Sequence, residues 1–345
     1  MSPTTYTILI SSLATGTIIT MTSYHWLLAW VGLEINTLAI IPMISMKHHP
    51  RSTEAATKYF LTQAAASAMI LYSSTTNAWY TGTWDITQMS TTQSNILLTM
   101  ALAMKLGLVP LHFWLPEVLQ GSTMTTALII TTWQKLAPMT LILMAANNLS
   151  PTILISVGLL SSMIGGWGGL NQTQTRKIMA YSSIAHLGWM STITAIMTNI
   201  LTLSLLTYLI MTTTMFYSLS LSKSKTIQNM STSWTMSPML TTIMMLTLLS
   251  LGGLPPLTGF TPKWLILEEL AMQNLILLAT LMALSSLLSL FFYLRLTYTT
   301  TLTLSPNTTQ TKHKWRFKPT MPVLPLIISA PFTTIMLPML PMITC

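Results

Sequence analysis

Residues 95–114 read NILLTMALAMKLGLVPLHFW, an apolar run with one lysine, Lys105, near its centre and the helix-breaking sequence GLVP at 107–110 directly after it. In a continuous helix rising about 1.5 Å per residue, the Lys105 ammonium would lie roughly 14 Å from either end of the run, too deep to reach water. A charge at that depth costs at least about 2.5 kcal/mol, so such residues face polar cavities and mark ion pathways. The run therefore predicts a membrane helix that is broken beside a functional lysine.

The rest of the chain agrees with a membrane environment. Only 6% of its 345 residues are charged and 51% are hydrophobic, with a mean hydropathy of +0.61, whereas soluble domains carry roughly 25% charged residues. The one cysteine, Cys345, excludes an internal disulfide, a Cys-ligated zinc and an iron–sulfur cluster held by this chain. The start, MSPTTYTILI, has no basic n-region or Arg-rich stretch and reads as a first span. Segments of about 20 apolar residues fall near 3–22, 24–46, 55–77, 95–116, 123–146, 150–170, 177–197, 199–221, 237–266, 274–298 and 321–343. The alternating segments of a membrane barrel are absent, so the fold class is an all-α polytopic membrane protein of about eleven transmembrane helices.

Loop charge gives an independent reading. Lys47, Arg51, Arg176, Lys177, Lys223, Lys225, Lys312, Lys314, Arg316 and Lys318 all fall in loops on one side. The opposite loops hold Asp85 and no Lys or Arg. The positive-inside rule places the N-terminus and the basic loops on the cytoplasm-equivalent side and the C-terminus opposite. Anionic lipid headgroups account for the net charge of +9, and no nucleic-acid partner is needed.

A second interruption echoes the first. The string LGLVP at 106–110 matches LGGLP at 251–255, with Pro116 and Pro262 further along each. The two lie five spans apart, an odd offset that makes the helices cross in opposite directions, as inverted five-helix repeats would. Interrupted helices at matching places in two halves point to a transport site. The expected organisation is one transmembrane domain over 1–345, with repeats near 3–146 and 150–298 and a C-terminal helix near 321–343.

Four deep charges stand on different helices: Glu34, Lys105, Lys135 and Lys263. Pro110 would free the carbonyl of Leu106, Pro138 that of Gln134, and Pro262 directly precedes Lys263. Freed carbonyls can hydrate or bind an ammonium. Burial lowers a lysine's pKa and a nearby carboxylate raises it, so these groups suit a proton relay. The competing reading is a static ion pair, Glu34 with one lysine, that fixes helix register. Three deep lysines against one deep carboxylate make that an incomplete account. Glu54, Lys58 and Arg295 lie nearer span ends, where snorkelling is cheap.

His112 and His186 also lie at membrane depth. His112 is placed to pass protons between Lys105 and the basic side, and His186 titrates among the hydroxyls of Tyr181, Ser182 and Ser183. Two deep histidines do not make a bundle haem site, and Gly165, Gly166, Gly168 and Gly169 indicate close helix packing rather than a phosphate cradle.

Six strings in order carry a family resemblance: WVGLE at 30–34, PRSTEAATK at 50–58, MKLGLVPLHFWLPE at 104–117, GGLNQTQTRKIMA at 168–180, YSSIAHLGW at 181–189 and LSLGGLPPLTGFTPKW at 249–264. Across essentially its whole length the chain resembles the subunit 2 family of mitochondrial NADH:ubiquinone oxidoreductase, respiratory complex I. The resemblance implies an antiporter-like membrane-arm subunit built of two inverted five-helix repeats that moves protons. It implies that Glu34 is the regulating carboxylate paired with Lys105, Lys135 the central relay lysine and Lys263 the terminal one. It further implies no cofactor in this chain, with NADH, FMN, iron–sulfur clusters and ubiquinone in partner subunits. The implied partners are a sister antiporter-like subunit, small proximal membrane subunits and lipid such as cardiolipin. The implied location is the mitochondrial inner membrane, with the N-terminus and basic loops on the matrix side and the C-terminus facing the intermembrane space. A standalone cation/proton antiporter and a structural spacer with inert lysines are the alternative functions.

Overall fold

A computed structural model describes residues 2–46, 48–235, 237–303 and 322–335. Lys47, Lys312, His313, Lys314, Arg316, Lys318, Cys345 and much of the span expected at 321–343 lie outside the described residues. Among the described residues every regular element is helical: α1 Pro3–Thr22, α2 Trp26–Ser45, α3 Pro50–Thr81, α4 Thr92–Leu106, α5 Trp114–Gly121, α6 Met124–Thr131, α7 Trp133–Ala145, α8 Pro151–Gly169, α9 Thr175–Thr194, α10 Thr198–Ser222, α11 Ile227–Ser231, α12 Pro238–Gly252, α13 Phe260–Met272, α14 Ile276–Thr301 and α15 Leu324–Ile335.

Local chemistry sets many of these ends. Ser2 accepts the Thr5 amide at 3.3 Å with Pro3 in the first helical position of α1, where proline's missing N–H is no loss. His49 and Ser52 form a reciprocal cap on α3. Hydroxyls inside the bundle bond to their own helices: Thr20, for example, donates to the Thr17 carbonyl at 2.7 Å. A serine or threonine can then sit in an apolar interior without an unsatisfied group.

Among the described residues six segments are long and apolar enough to cross a membrane: α1, α2, the α6–α7 pair, α8, α10 and α14. This count is smaller than the expected eleven for a physical reason. Helix α3 carries Arg51, Glu54 and Lys58, α9 carries Arg176 and Lys177, and the 95–116 and 237–266 spans are each cut in two. Helices that carry charge or a break fail a test of length and hydropathy while remaining apolar elsewhere.

The chain divides into two compact units, residues 1–161 with 191–198, and residues 162–190 with 199–345. In the first, α2 packs on α1 and α3, α3 carries α4 and α5, and α7 touches α1, α2 and α4. In the second, α14 packs against α11, α12 and α13, and α15 against α12.

The two breaks share one backbone design. Helix α4 ends at Leu106, with Gly107 at φ 79° and its N–H donating to Ala103 and Met104 carbonyls, while Leu108 N–H reaches back to Ala103 at 2.9 Å. Helix α12 ends at Gly252, with Gly253 at φ 80° bonded to Leu249 and Ser250, and Leu254 N–H reaching Leu249 at 3.3 Å. Left-handed backbone at the end of a helix favours glycine at both points. This corrects the register of the sequence match by one residue: Gly107 corresponds to Gly253, not Gly252. The same shift pairs Pro110 with Pro256 and Pro116 with Pro262, and sets Glu117 opposite Lys263. Lys105 is accordingly in the last turn of α4 and not midway along a continuous helix.

Candidate functional site

In the first unit, α7 brings Lys135 against the break. Its Nζ donates to the Leu106 carbonyl at 2.8 Å, at the end of α4 where the helix no longer uses that oxygen. Lys105 and Lys135 are both buried, at 6% and 2% exposure, and both line one cavity of about 10 Å³. That is about the space one water occupies. Thr37 from α2, Tyr59 and Gln63 from α3, Trp114 from α5 and Gln134 from α7 complete the polar part of its wall. The Tyr59 hydroxyl donates to Gln134 Oε1 at 3.4 Å, and Gln134 Nε2 donates to the Asn36 carbonyl at 3.4 Å.

Glu34, on α2, is close enough to act electrostatically on both Lys105 and Tyr59. It makes no ion pair with Lys105: among the described residues, the carboxylate–ammonium contacts within 4.0 Å are those of Lys58 with Glu54 and Glu117. Glu34 Oε2 and Lys105 Nζ are both buried without a hydrogen-bond partner among the described residues. The structure thus sets Glu34 within electrostatic reach of Lys105 and Lys105 in one cavity with Lys135, but without the direct Glu34–Lys105 pair that the resemblance implied. His112 sits in the break at 4% exposure, its ring 4.3 Å from that of Phe113 and its Nδ1 likewise unpartnered. It does not line the cavity.

In the second unit, Lys263 on α13 folds back so that its Nζ donates to the Gly252 carbonyl at 3.0 Å. Gly253 leaves room for this: a Cβ there would stand 3.0 Å from Lys263 Nζ and 3.1 Å from its Cδ. His186 on α9 is within electrostatic reach of Lys263. Its Nε2 lies 3.5 Å from the Tyr293 hydroxyl, and its ring is 5.6 Å from that of Tyr208. Ser183 bonds Tyr208 and Ser182 bonds Tyr293, so both tyrosines beside the imidazole have serine partners.

Both breaks therefore do the same thing chemically. A terminal helix carbonyl, released by an αL glycine, holds a buried ammonium through a neutral dipole instead of a carboxylate. An ammonium held this way can lose its proton without leaving an uncompensated anion behind. Reading the sequence missed Tyr59, Gln63, Gln134, Tyr208 and Tyr293. Tyr59 and Gln63, four apart on α3, were readable as one polar helix face; nothing local in the sequence marks Tyr208 or Tyr293. Arg295, expected to snorkel, instead donates to the carbonyls of Leu170 and, at 2.6 Å, Gln172, just past the end of α8. Among the described residues no group of three or more His, Cys, Asp and Glu side chains could hold a metal ion.

A profile of the family described as NADH:quinone oxidoreductase/Mrp antiporter, TM matches residues 23–289, and one for the NADH dehydrogenase subunit 2 C-terminus matches 290–344. Similar proteins include NADH-ubiquinone oxidoreductase chain 2 of Oncorhynchus mykiss, 56% identical, and of Salmo salar, 57% identical, each over 100% of this chain and 99% of the relative. Among solved structures, a chain of respiratory complex I from Thermus thermophilus with bound aureothin is 27% identical, with a TM-score of 0.83 over 97% of this chain and 79% of that one. A chain of the Mrp complex from Dietzia shares the fold at 16% identity and a TM-score of 0.84, over 97% of this chain and 75% of that one.

Proposed function

The chain belongs to the NADH-ubiquinone oxidoreductase chain 2 family, and on that premise we propose that it is a membrane-arm subunit of respiratory complex I that moves protons through buried lysines. Redox chemistry, with NADH, FMN, iron–sulfur clusters and ubiquinone, belongs to partner subunits, among them a sister antiporter-like subunit and small proximal membrane subunits. The chain lies in the mitochondrial inner membrane, crossing it about eleven times in two inverted five-helix repeats and a C-terminal helix. Its basic loops face the matrix, and cardiolipin headgroups neutralise them.

One observation carries the reading. Lys135 and Lys263 each rest on a helix-end carbonyl at a broken helix, at 2.8 and 3.0 Å, and Lys105 shares a water-sized cavity with Lys135. A static register device would need a tight carboxylate partner for these ammonium groups, and neither Lys135 nor Lys263 has one among the described residues. Glu34 acts on Lys105 from beyond 4.0 Å. Two unit charges about 4 Å apart interact by about 4 kcal/mol at an effective dielectric of about 20, and the larger separation weakens this, so Glu34 biases Lys105 without clamping it. A modest bias suits a regulator, because a small movement of α2 changes it. Protons then pass from Lys105 to Lys135 through the cavity, with Tyr59 and Gln134 ordering the water. In the second unit Lys263 is the terminal lysine that passes protons onward, with His186 within its electrostatic reach. His112 serves the basic-side entrance.

The test is Lys105→Met in the assembled enzyme. Proton-coupled turnover falls to a small fraction, while NADH oxidation by artificial acceptors, which needs only partner subunits, stays intact. Full assembly with unchanged coupled turnover would mean that the lysine is inert and the subunit a spacer.

A further inference from the structure

Helix α5 raises a question the relay does not answer. It has eight residues and no side-chain cap at its start, and helices this short are not stable by themselves. One face of it runs along α3. Trp114 meets the Tyr59 ring edge-on, with centroids 5.8 Å apart and planes at 65°. One turn later Glu117 Oε2 accepts from Lys58 Nζ at 2.6 Å. At the far end Gly121 lies so close that a Cβ would stand 2.5 Å from Ala55 Cβ and 2.7 Å from the Arg51 carbonyl. Positions 114, 117 and 121 thus meet 59, 58 and 51–55 in antiparallel order along one helical stripe.

Lys58 is shared. It also bonds Glu54 one turn earlier on its own helix at 2.5 Å. The first residue of α5 spans the break: Trp114 Nε1 donates to the Met104 carbonyl at 3.2 Å, and the indole lines the Lys105 cavity.

We propose that the Lys58–Glu117 ion pair docks half-helix α5 on α3, making both side chains positioning residues that hold Trp114 across the break and so fix the wall of the Lys105–Lys135 cavity. The corrected register sharpens the point. Glu117 occupies the place that Lys263 holds after the second break; there the side chain turns back onto the broken helix's own carbonyl, whereas here it turns outward to a neighbouring helix. One backbone position serves charge movement in one broken helix and docking in the other. An exposed pair by itself contributes little; burial of Trp114, Leu115, Pro116, Val118 and Leu119 anchors α5, and the pair adds direction, setting how α5 lies along α3. The proposal rests on the relay reading, since a cavity wall matters to function only if protons cross the cavity.

Three variants of the assembled enzyme test it, with assembly followed on native gels, artificial-acceptor oxidation as the baseline, and the pH profile of coupled turnover as the readout. Glu117→Gln lowers coupled turnover by about two- to fivefold and displaces its pH profile, because the surroundings of Lys105 change. Glu54→Gln has the smaller effect, since its pair with Lys58 lies within α3. The exchange Lys58→Glu with Glu117→Lys restores most of the turnover and the native profile. Equal effects of Glu54→Gln and Glu117→Gln, or no recovery in an assembled exchange variant, would overturn the proposal. If Glu117→Gln does not assemble, a density map of the unmodified enzyme decides: Lys58 and Glu117 beyond salt-bridge reach, about 4 Å, overturns it, and contact supports it. Retained turnover in Lys105→Met sinks the relay itself. Lost turnover there with a silent Glu117→Gln sinks only the docking role.

Discussion

At the scale of single residues, the two αL glycines separate backbone strain from chemistry. Gly107 and Gly253 have nearly the same φ, 79° and 80°, so alanine at either costs about 1–2 kcal/mol of backbone strain. Their surroundings differ. A Cβ at Gly107 would meet Leu115 and Trp114, whereas one at Gly253 would press on Lys263 at its Nζ, Cδ and Cε. Both Gly107→Ala and Gly253→Ala should therefore lower the thermal midpoint of the assembled enzyme by similar amounts. Gly253→Ala should in addition move the pH profile of coupled turnover as its lysine leaves the Gly252 carbonyl, whereas Gly107→Ala acts on the first-unit cavity through Trp114. An unchanged profile in Gly253→Ala would show that the carbonyl does not control Lys263. The receptor oxygen in the first unit was legible in advance, because Pro110 removes the amide that would have bonded Leu106. The lysine that takes it was not. Lys135 arrives from 29 positions further along the chain, and no local pattern encodes which of several buried ammonium groups a fold will bring to one oxygen.

At the scale of elements, helix ends carry the chemistry, and they are also where sequence and structure part. The first span, 3–22, coincides with α1, since an apolar run bounded by Ser-Pro and a polar loop leaves little freedom. Both breaks were legible as Gly/Pro clusters, but the sequence offers two adjacent glycines at 252 and 253, and only the backbone hydrogen bonds reveal which one turns left-handed. Arg295 is a second case. Read as a snorkelling charge near the end of a span, it instead supplies the donors for carbonyls beyond α8, a role that needs the fold to bring α14 alongside. Charge-assisted hydrogen bonds of this kind contribute roughly 1.5–3 kcal/mol each before allowance for solvent. Arg295 is only partly buried, so Arg295→Ala should cost about 1–2 kcal/mol. Arg295→Lys should recover part of that, because an ammonium lacks the planar fork that reaches both oxygens at once. Thermal inactivation of the assembled enzyme measures the order: wild type, then Lys, then Ala. Equal midpoints for wild type and Ala would reduce the contact to a surface ornament.

At the scale of the whole molecule, sparse charge is what makes function legible and also what directs insertion. With 15 lysines and arginines in 345 residues, each one stands out; Lys105, Lys135 and Lys263 are the deep ones, and they mark the candidate site. The division into two compact units was not legible to the residue, since the first unit runs to Ser161 and takes in Ser191–Thr198, a grouping made by packing and not by chain order. Orientation follows from the loops instead. Lys223 and Lys225 are exposed after α10 and on the positive-inside reading are expected on the side of the other basic loops, whereas the loop carrying Asp85 has no lysine or arginine. Each basic residue carried across the membrane during insertion works against the positive-inside bias, so the ten together leave one favoured topology. A membrane-impermeant amine reagent should accordingly modify Lys223 and Lys225 in inverted inner-membrane vesicles, where the matrix face is outside, and leave them untouched in intact mitoplasts. Modification from the intermembrane-space side would reverse the topology, and with it the direction in which His112 and the first break meet the proton supply.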